Sequence, residues 1–215
     1  MLNETKGNMY EWVDFTWNPI KGKCIHDCSY CYMKRFPQPE IHLDEKDLKT
    51  DLGNGNKIFV GSSTDMFAEN VDDDWIKLVL KHCKEFDNVY YFQSKDVKRM
   101  LKFDGLFPER SVFGTTIETN RYELLKKYSK APVSRLDISK FRRKFVTIEP
   151  VIDFDIKNFV WLLKSIKPDF INIGADSKKH NLPEPSWHKV QKLISELKKF
   201  TVINVKSNLD RLFNH

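Results

Sequence analysis

Short apolar runs recur along the chain, each followed by a stretch with helical spacing. Ile58-Phe59-Val60 is a run of the buried-strand type, and the segments 89–92, 112–117, 145–148, 170–173 and 201–205 repeat it. A shorter strand is expected at 14–17, stopped by Pro19. Behind the acidic start Asp72, Asp73 and Asp74, the residues Ile76, Val79, Leu80 and Cys83 fall at i, i+3, i+4 and i+7. That spacing is one apolar stripe of an amphipathic helix. Ile156, Phe159, Val160, Leu163 and Ile166 mark a second stripe ending at Pro168, and Trp187, Val190, Ile194 and Leu197 a third. Weaker helical stretches lie at 32–36, at 44–52 before the turn Gly53-Asn54-Gly55-Asn56, at 122–128 and at 134–141. Ser94 is expected to cap another that runs through Phe103, and Thr119 or Asn120 to cap 122–128, with a short tail at 209–213.

Strands alternating with helices predict an α/β fold with a mainly parallel sheet, as one domain over 1–215. A repeat of roughly 25–35 residues suits either a doubly wound sheet or a partial barrel. Both gather function past the carboxyl ends of their strands. Here those ends are polar: Gly61-Ser62-Ser63-Thr64-Asp65, Gln93-Ser94-Lys95-Asp96 and Thr116-Ile117-Glu118-Thr119-Asn120, then Ile148-Glu149-Pro150, Gly174-Ala175-Asp176-Ser177 and Lys206-Ser207-Asn208. Ser62, Ser94 and Asn120 also suit plain helix caps. Glu118 and Glu149 each follow an apolar run, where an unpartnered carboxylate is costly to desolvate, so at least one is expected to touch a ligand or cofactor.

Apolar residues make up 40% and charged residues 31%, the balance of a soluble globular protein. No run of about 18 apolar residues exists, which argues against a membrane span. The start of the chain lacks the apolar stretch of a secretory signal, so a cytoplasmic location is expected. The net charge of +6 is compatible with a polyanionic partner, though lysines spread along the chain equally fit a solvated surface.

Of four cysteines, three fall within 24–31 as Cys24, Cys28 and Cys31, which is bunching for a metal or redox site rather than a disulfide framework. Three thiolates from one loop suit a soft metal or an iron–sulfur cluster. Three is one ligand short of a four-iron set, leaving an iron free for another partner. A structural zinc site completed by His26 or Cys83 is the main alternative, and a cluster-bearing electron carrier or nucleic-acid-binding protein without radical chemistry is another. Cys83 lies on the apolar helix face and suits a core thiol; His26 suits local hydrogen bonding or an outward orientation.

The spacing C-x3-C-x2-C, with Tyr30 before the last cysteine and on the loop after a first strand, resembles the radical S-adenosylmethionine (SAM) superfamily. Thr16-Trp17-Asn18-Pro19, Phe59-Val60-Gly61-Ser62 with Asp65-Met66-Phe67, and Ile148-Glu149-Pro150 look like a phage-associated branch of it, and Cys31-Tyr32 is similar to the spore photoproduct lyases, which repair DNA. The resemblance implies a partial (β/α)6 barrel, a [4Fe-4S] cluster on Cys24, Cys28 and Cys31, and SAM chelated to the remaining iron. It further implies reductive cleavage of SAM to methionine and a 5′-deoxyadenosyl radical that abstracts hydrogen from a substrate. On that pattern Ser62, Ser63 and Asp65 meet the methionine end, in place of the family's Gly-Gly-Glu-type turn, and Lys95 pairs with its carboxylate. Tyr30 packs near the adenine, Thr116 and Glu118 face the ribose, Gly174 and Asp176 lie along the adenine, and Glu149 is a further cofactor contact. The implied partners are an electron donor such as a flavodoxin or ferredoxin, a nucleic-acid or protein substrate, and an accessory protein completing the site.

Overall fold

The computed structural model describes residues 1–5, 9–133, 135–178 and 180–213. The main sheet begins with β1 (Asn3–Glu4), antiparallel to β2 (Phe15–Trp17). A small separate hairpin follows, β3 (Ile20–Lys21) on β4 (His42–Leu43), and then one turn of helix, α1 (Glu45–Leu48). From there the units run β5 (Lys57–Val60), α2 (Asp73–Cys83), β6 (Val89–Gln93), α3 (Val97–Met100), β7 (Ser111–Thr116) and α4 (Tyr122–Leu125). The chain ends with β8 (Lys144–Ile148), α5 (Ile156–Ile166), β9 (Phe170–Ile173), α6 (Trp187–Leu197) and β10 (Val202–Val205).

The eight strands order as β1-β2-β5-β6-β7-β8-β9-β10, all parallel from β2 onward. A doubly wound sheet reverses its order at a switch point; this one never does, so it curls in one direction as a partial barrel. β1 and β10 remain unjoined edges, so the barrel stays open. Each of the six steps from β2 to β10 carries one helix, the (β/α)6 series with β10 as an added strand.

The three amphipathic helices form as their spacing predicts. Asp72 caps α2 by accepting from the Asp74 N–H, Ser186 caps α6 by accepting from the Lys189 N–H, and α5 stops at the left-handed Lys167 (φ 55°) before Pro168. Segments without a full stripe shorten to single turns. The stretch 44–52 keeps only α1, and 122–128 keeps only α4. Ser94 is not the cap of α3; Asp96 is, accepting from the Arg99 N–H. Of 134–141, Leu136–Lys140 forms a 3-10 turn, and Ser134 lies outside the described residues.

Helices and outer strand faces bury one large core, with Cys83 fully inside it. Inside the curl lies a second, aromatic layer of Phe59, Tyr91, Val112 and Phe145, and the chain segment before β2 plugs it. Tyr10 stacks on Trp12 at 4.8 Å, and Trp12 meets Phe145 and Phe170 edge-on at 5.7 and 5.1 Å. Gly114 makes room for this layer, since a Cβ there would stand 2.2 Å from the Phe145 ring. One residue pair further along the strands, the inner side becomes polar. Thr116, Thr147, Asn172 and Asn204 lie in register, and Asn204 Nδ2 donates to Asn172 Oδ1 at 3.0 Å. That layer is the floor of the mouth.

Candidate functional site

The cysteine loop is an excursion between β2 and β5 whose ends are tied by the β3–β4 hairpin. Gly22 sits at the tie with φ 108°, and a Cβ there would lie 2.4 Å from the Glu40 carbonyl oxygen, so no other residue fits without movement. The loop turns at Asp27 (φ 44°) and is pinned to the chain after α4. Ser29 N–H donates to Tyr128 O and Lys130 N–H to His26 O, both at 2.7 Å. Lys34 and Lys130 clasp the Asp27 carboxylate and hold its pKa down to about 2.

All three thiols, Cys24, Cys28 and Cys31, line one cavity of 750 Å³ at the mouth of the barrel, and none forms a disulfide. Cys28 Sγ lies 3.2 Å from Ser129 Oγ and accepts from Lys95 Nζ at 3.4 Å. Burial, with Asp65 nearby, pushes the Cys24 thiol up to about 12. Among the described residues, no three His, Cys, Asp or Glu side chains are gathered as a metal-holding set.

Strand ends build the rest of the wall. After β5, Asn18 Oδ1 accepts from both Ser62 Oγ (3.1 Å) and the Ser63 N–H (3.0 Å), fixing the serine turn. Asp65 is fully engaged: it accepts from His26 Nε2 (2.9 Å), Ser94 Oγ (3.0 Å) and the Lys95 N–H (2.8 Å). Burial opposes its charge, but His26 and the other donors outweigh burial and the net shift is downward. His26 is thus neither outward-facing nor free to bind a metal; it is 4% exposed and seats the cysteine loop on the β5 turn.

Behind the thiols lies a buried charged cluster. Glu118 is 0% exposed and accepts from Lys95 Nζ and Arg135 Nη1, each at 2.6 Å, and from the Tyr30 hydroxyl. Burial works against this carboxylate, yet Arg135 and Lys95 together prevail and hold it ionised well below its usual range. Burial and then Glu118 drive the Tyr30 hydroxyl upward, so it stays protonated and donates. The Lys95 ammonium also lies over the Tyr30 ring, 4.6 Å from its centroid.

Tyr30, Ser62, Ser63, Asp65 and Lys95 line the cysteine cavity, as do Thr116, Glu149 and Asp176. Glu118 and Gly174 do not. Glu118 lies behind the wall, one carboxylate oxygen on Lys95 and Tyr30 and the other on Arg135. A Cβ on Gly174 would lie 2.9 Å from Glu149 Oε1 and 2.7 Å from Asn208 Oδ1, so this glycine makes room for Glu149. Glu149 in turn accepts from Lys206 Nζ (2.7 Å) and Asn208 Nδ2 (2.8 Å). Asp176 accepts from His180 Nδ1 at 2.6 Å, and the imidazole lines the cavity. Tyr10 closes the floor, its hydroxyl 2.9 Å from Thr147 Oγ1.

Sequence reasoning passed over Asn18 and His26 as anchors, and Arg135, His180 and Tyr10 altogether. A signal existed for His26, which stands inside the cysteine spacing, and for Asn18 beside Pro19. Arg135 lies in an irregular turn with no periodic context.

No curated protein matches the sequence. Among solved structures, the fold resembles a spore photoproduct lyase cysteine mutant with dinucleoside spore photoproduct: TM-score 0.58, 12% identity, 90% of this chain and 63% of that one. Another cysteine mutant of spore photoproduct lyase gives TM-score 0.56, 12% identity, and 94% and 66% coverage. A third, with bound AdoMet and dinucleoside spore photoproduct, gives 0.54, 11%, 90% and 64%. The chain therefore spans less than two thirds of those chains, and at these identities the likeness is one of fold. A family model matches residues 8–195, nearly the whole barrel, and by that match the chain belongs to the family described as "Protein of unknown function (DUF5131)".

Proposed function

We propose that this protein is a radical SAM enzyme. The observation that carries the reading is that Cys24, Cys28 and Cys31, in C-x3-C-x2-C spacing, all line one cavity at the carboxyl-end mouth of a partial parallel barrel. The donor set fits a [4Fe-4S] cluster: three unpaired thiols on one loop, soft ligands for iron, with no fourth cysteine at the mouth. Holding the cluster requires the three thiols to draw together, with Cys28 leaving Ser129 and Lys95. When bound, the cluster supplies the electron that splits SAM into methionine and a 5′-deoxyadenosyl radical, which takes hydrogen from substrate.

The chain's own residues bind and orient. Lys95, fixed by Glu118, offers a cation for the methionine carboxylate, while Ser62 and Ser63, held by Asn18 through the Ser62 hydroxyl and the Ser63 N–H, meet its amino end. Asp65 acts through His26 on the loop rather than on the ligand. Asp176 flanks the adenine side and keeps a proton on His180 Nδ1. The Tyr10 plug excludes water from below. A flavodoxin or ferredoxin is the proposed reductant, and the open mouth favours a macromolecular substrate.

The zinc alternative loses both of its fourth ligands, since His26 is engaged by Asp65 and Cys83 is buried in the outer core. Anaerobic reconstitution with iron and sulfide, then dithionite and SAM, tests the reading. The expected result is about four irons per chain, broad visible absorption and 5′-deoxyadenosine, all lost in C24A, C28A and C31A. One zinc per chain, or a full cluster yielding no 5′-deoxyadenosine, overturns it.

A further inference from the structure

Immediately after Cys31, Tyr32–Arg35 forms a short 3-10 turn on the cavity rim. Its outer face pairs a cation with a ring: the Arg35 guanidinium lies 5.5 Å from the centroid of Phe36, which is 51% exposed. Phe36 belongs to neither apolar cluster, and about half of its surface stays open to water. Tyr32, 44% exposed, is held on the same turn by donating its hydroxyl to the Ser62 carbonyl at 3.0 Å.

The rim charge is unevenly compensated. Asp27, Asp65, Glu149 and Asp176 line the cavity but are each already paired, with Lys34 and Lys130, His26, Lys206 and His180 respectively. Glu4 is the exception. Lys23, Arg35 and Lys178 line the same cavity, are exposed, and pair with no carboxylate among the described residues. The interior is thus close to balanced, and the free charge at its edge is cationic.

We propose that this rim docks a single-stranded polynucleotide, with phosphates on Lys23, Arg35 and Lys178 and one base stacked on Phe36. Cations alone would suit any polyanion, but a ring left in water beside a guanidinium is the arrangement that holds an unstacked base. A duplex hides its base faces, so the strand must be single or locally opened to use this ring. The proposal deepens the radical SAM reading by naming the substrate class, and docking itself needs no radical chemistry.

The test is fluorescence anisotropy of the reconstituted full chain with short labelled oligonucleotides: single-stranded DNA, the matching duplex, and RNA, across a salt series. Wild type is expected to bind single strands more tightly than duplex, with affinity falling linearly in log salt. The triple variant K23A/R35A/K178A should flatten that slope by about 2, at ~0.7 per phosphate contact. F36A should weaken binding about 10-fold at every salt with the slope unchanged. A preference for RNA over DNA supports the proposal and assigns the sugar. Salt-independent or absent binding, tighter duplex binding, or variants that match wild type overturn it. 5′-deoxyadenosine measured on the same samples without oligonucleotide reports separately on the radical SAM reading.

Discussion

Replacing Glu118 with Gln removes the carboxylate at the centre of a largely buried charged cluster. Glu118 is 0% exposed, and its two cations differ in access: Arg135 is 2% exposed, while Lys95 is 16% exposed on the cavity side. Breaking a buried pair by removing one partner costs about 3–5 kcal/mol, mostly from the charge left behind. For a chain of this size each kcal/mol moves the melting temperature by about 2–4 °C, so E118Q should melt roughly 6–20 °C lower. The assay is thermal and urea unfolding of the metal-free, reduced protein followed by circular dichroism. The double variant E118Q/R135M should recover part of the loss, because only the partly solvated Lys95 then stays unpaired. Acid supplies the sign test. A carboxylate held below its unfolded value of 4.5 stabilises the fold above that pH, and the benefit fades as pH falls through the folded value. The gap between wild type and E118Q should therefore narrow below about pH 4.5, by up to ~1.4 kcal/mol per pH unit. A loss under about 1 kcal/mol, or a gap that stays constant on acidification, refutes the assignment of Glu118 as the ionised centre of this cluster.

Three further outcomes follow from particular contacts. C83A should keep full iron loading while costing about 1 kcal/mol in urea unfolding, because Cys83 fills the outer core and not the mouth; iron loss would make it a ligand. G22A should cost about 1–3 kcal/mol and lower iron incorporation, since both φ 108° and the Glu40 carbonyl oppose a Cβ where the hairpin ties the cysteine loop; an unchanged melt would show that the tie is loose. Y10F should cost about 1–2 kcal/mol by leaving buried Thr147 and half-buried Gln93 without their hydroxyl partner, and a neutral result would mean that water already serves them.

Strands were legible because each is a short apolar run bounded by turns, and α2, α5 and α6 because each carries a full stripe. The one-turn helices α1 and α4 were overextended because their flanks contain apolar residues that pack without continuing the helix, whereas α3 does run on, as the 3-10 turn Leu101–Phe103. Strand-end logic brought most candidate residues to one mouth, but it treated Glu118 and Glu149 alike. The difference lies beyond the reach of a period of two. β7 ends at Thr116, so alternation no longer says where residue 118 points, and the Arg135 that draws it inward sits in an irregular turn. The plug escaped notice because 9–13 has no periodicity; Trp12 and Tyr10 are legible only once an open, short-stranded curl is seen to need filling from outside.

The cysteine loop has no regular structure between β3 and its 3-10 turn, so its shape is borrowed. The hairpin tie fixes its ends, the chain after α4 holds its middle by two backbone bonds, and His26 fastens it to Asp65 on the β5 turn. Lys95 then links Cys28 to Glu118 and, through it, to Arg135. Each clamp comes from a different βα unit, so the loop is set only when the barrel is assembled. Asp65 joins the two halves of this arrangement, since one carboxylate oxygen accepts from His26 on the loop and from the Lys95 N–H after β6. Loss of that carboxylate would free the loop and the cation together, so Asp65 acts on the cysteine loop as well as on the turn that carries Lys95.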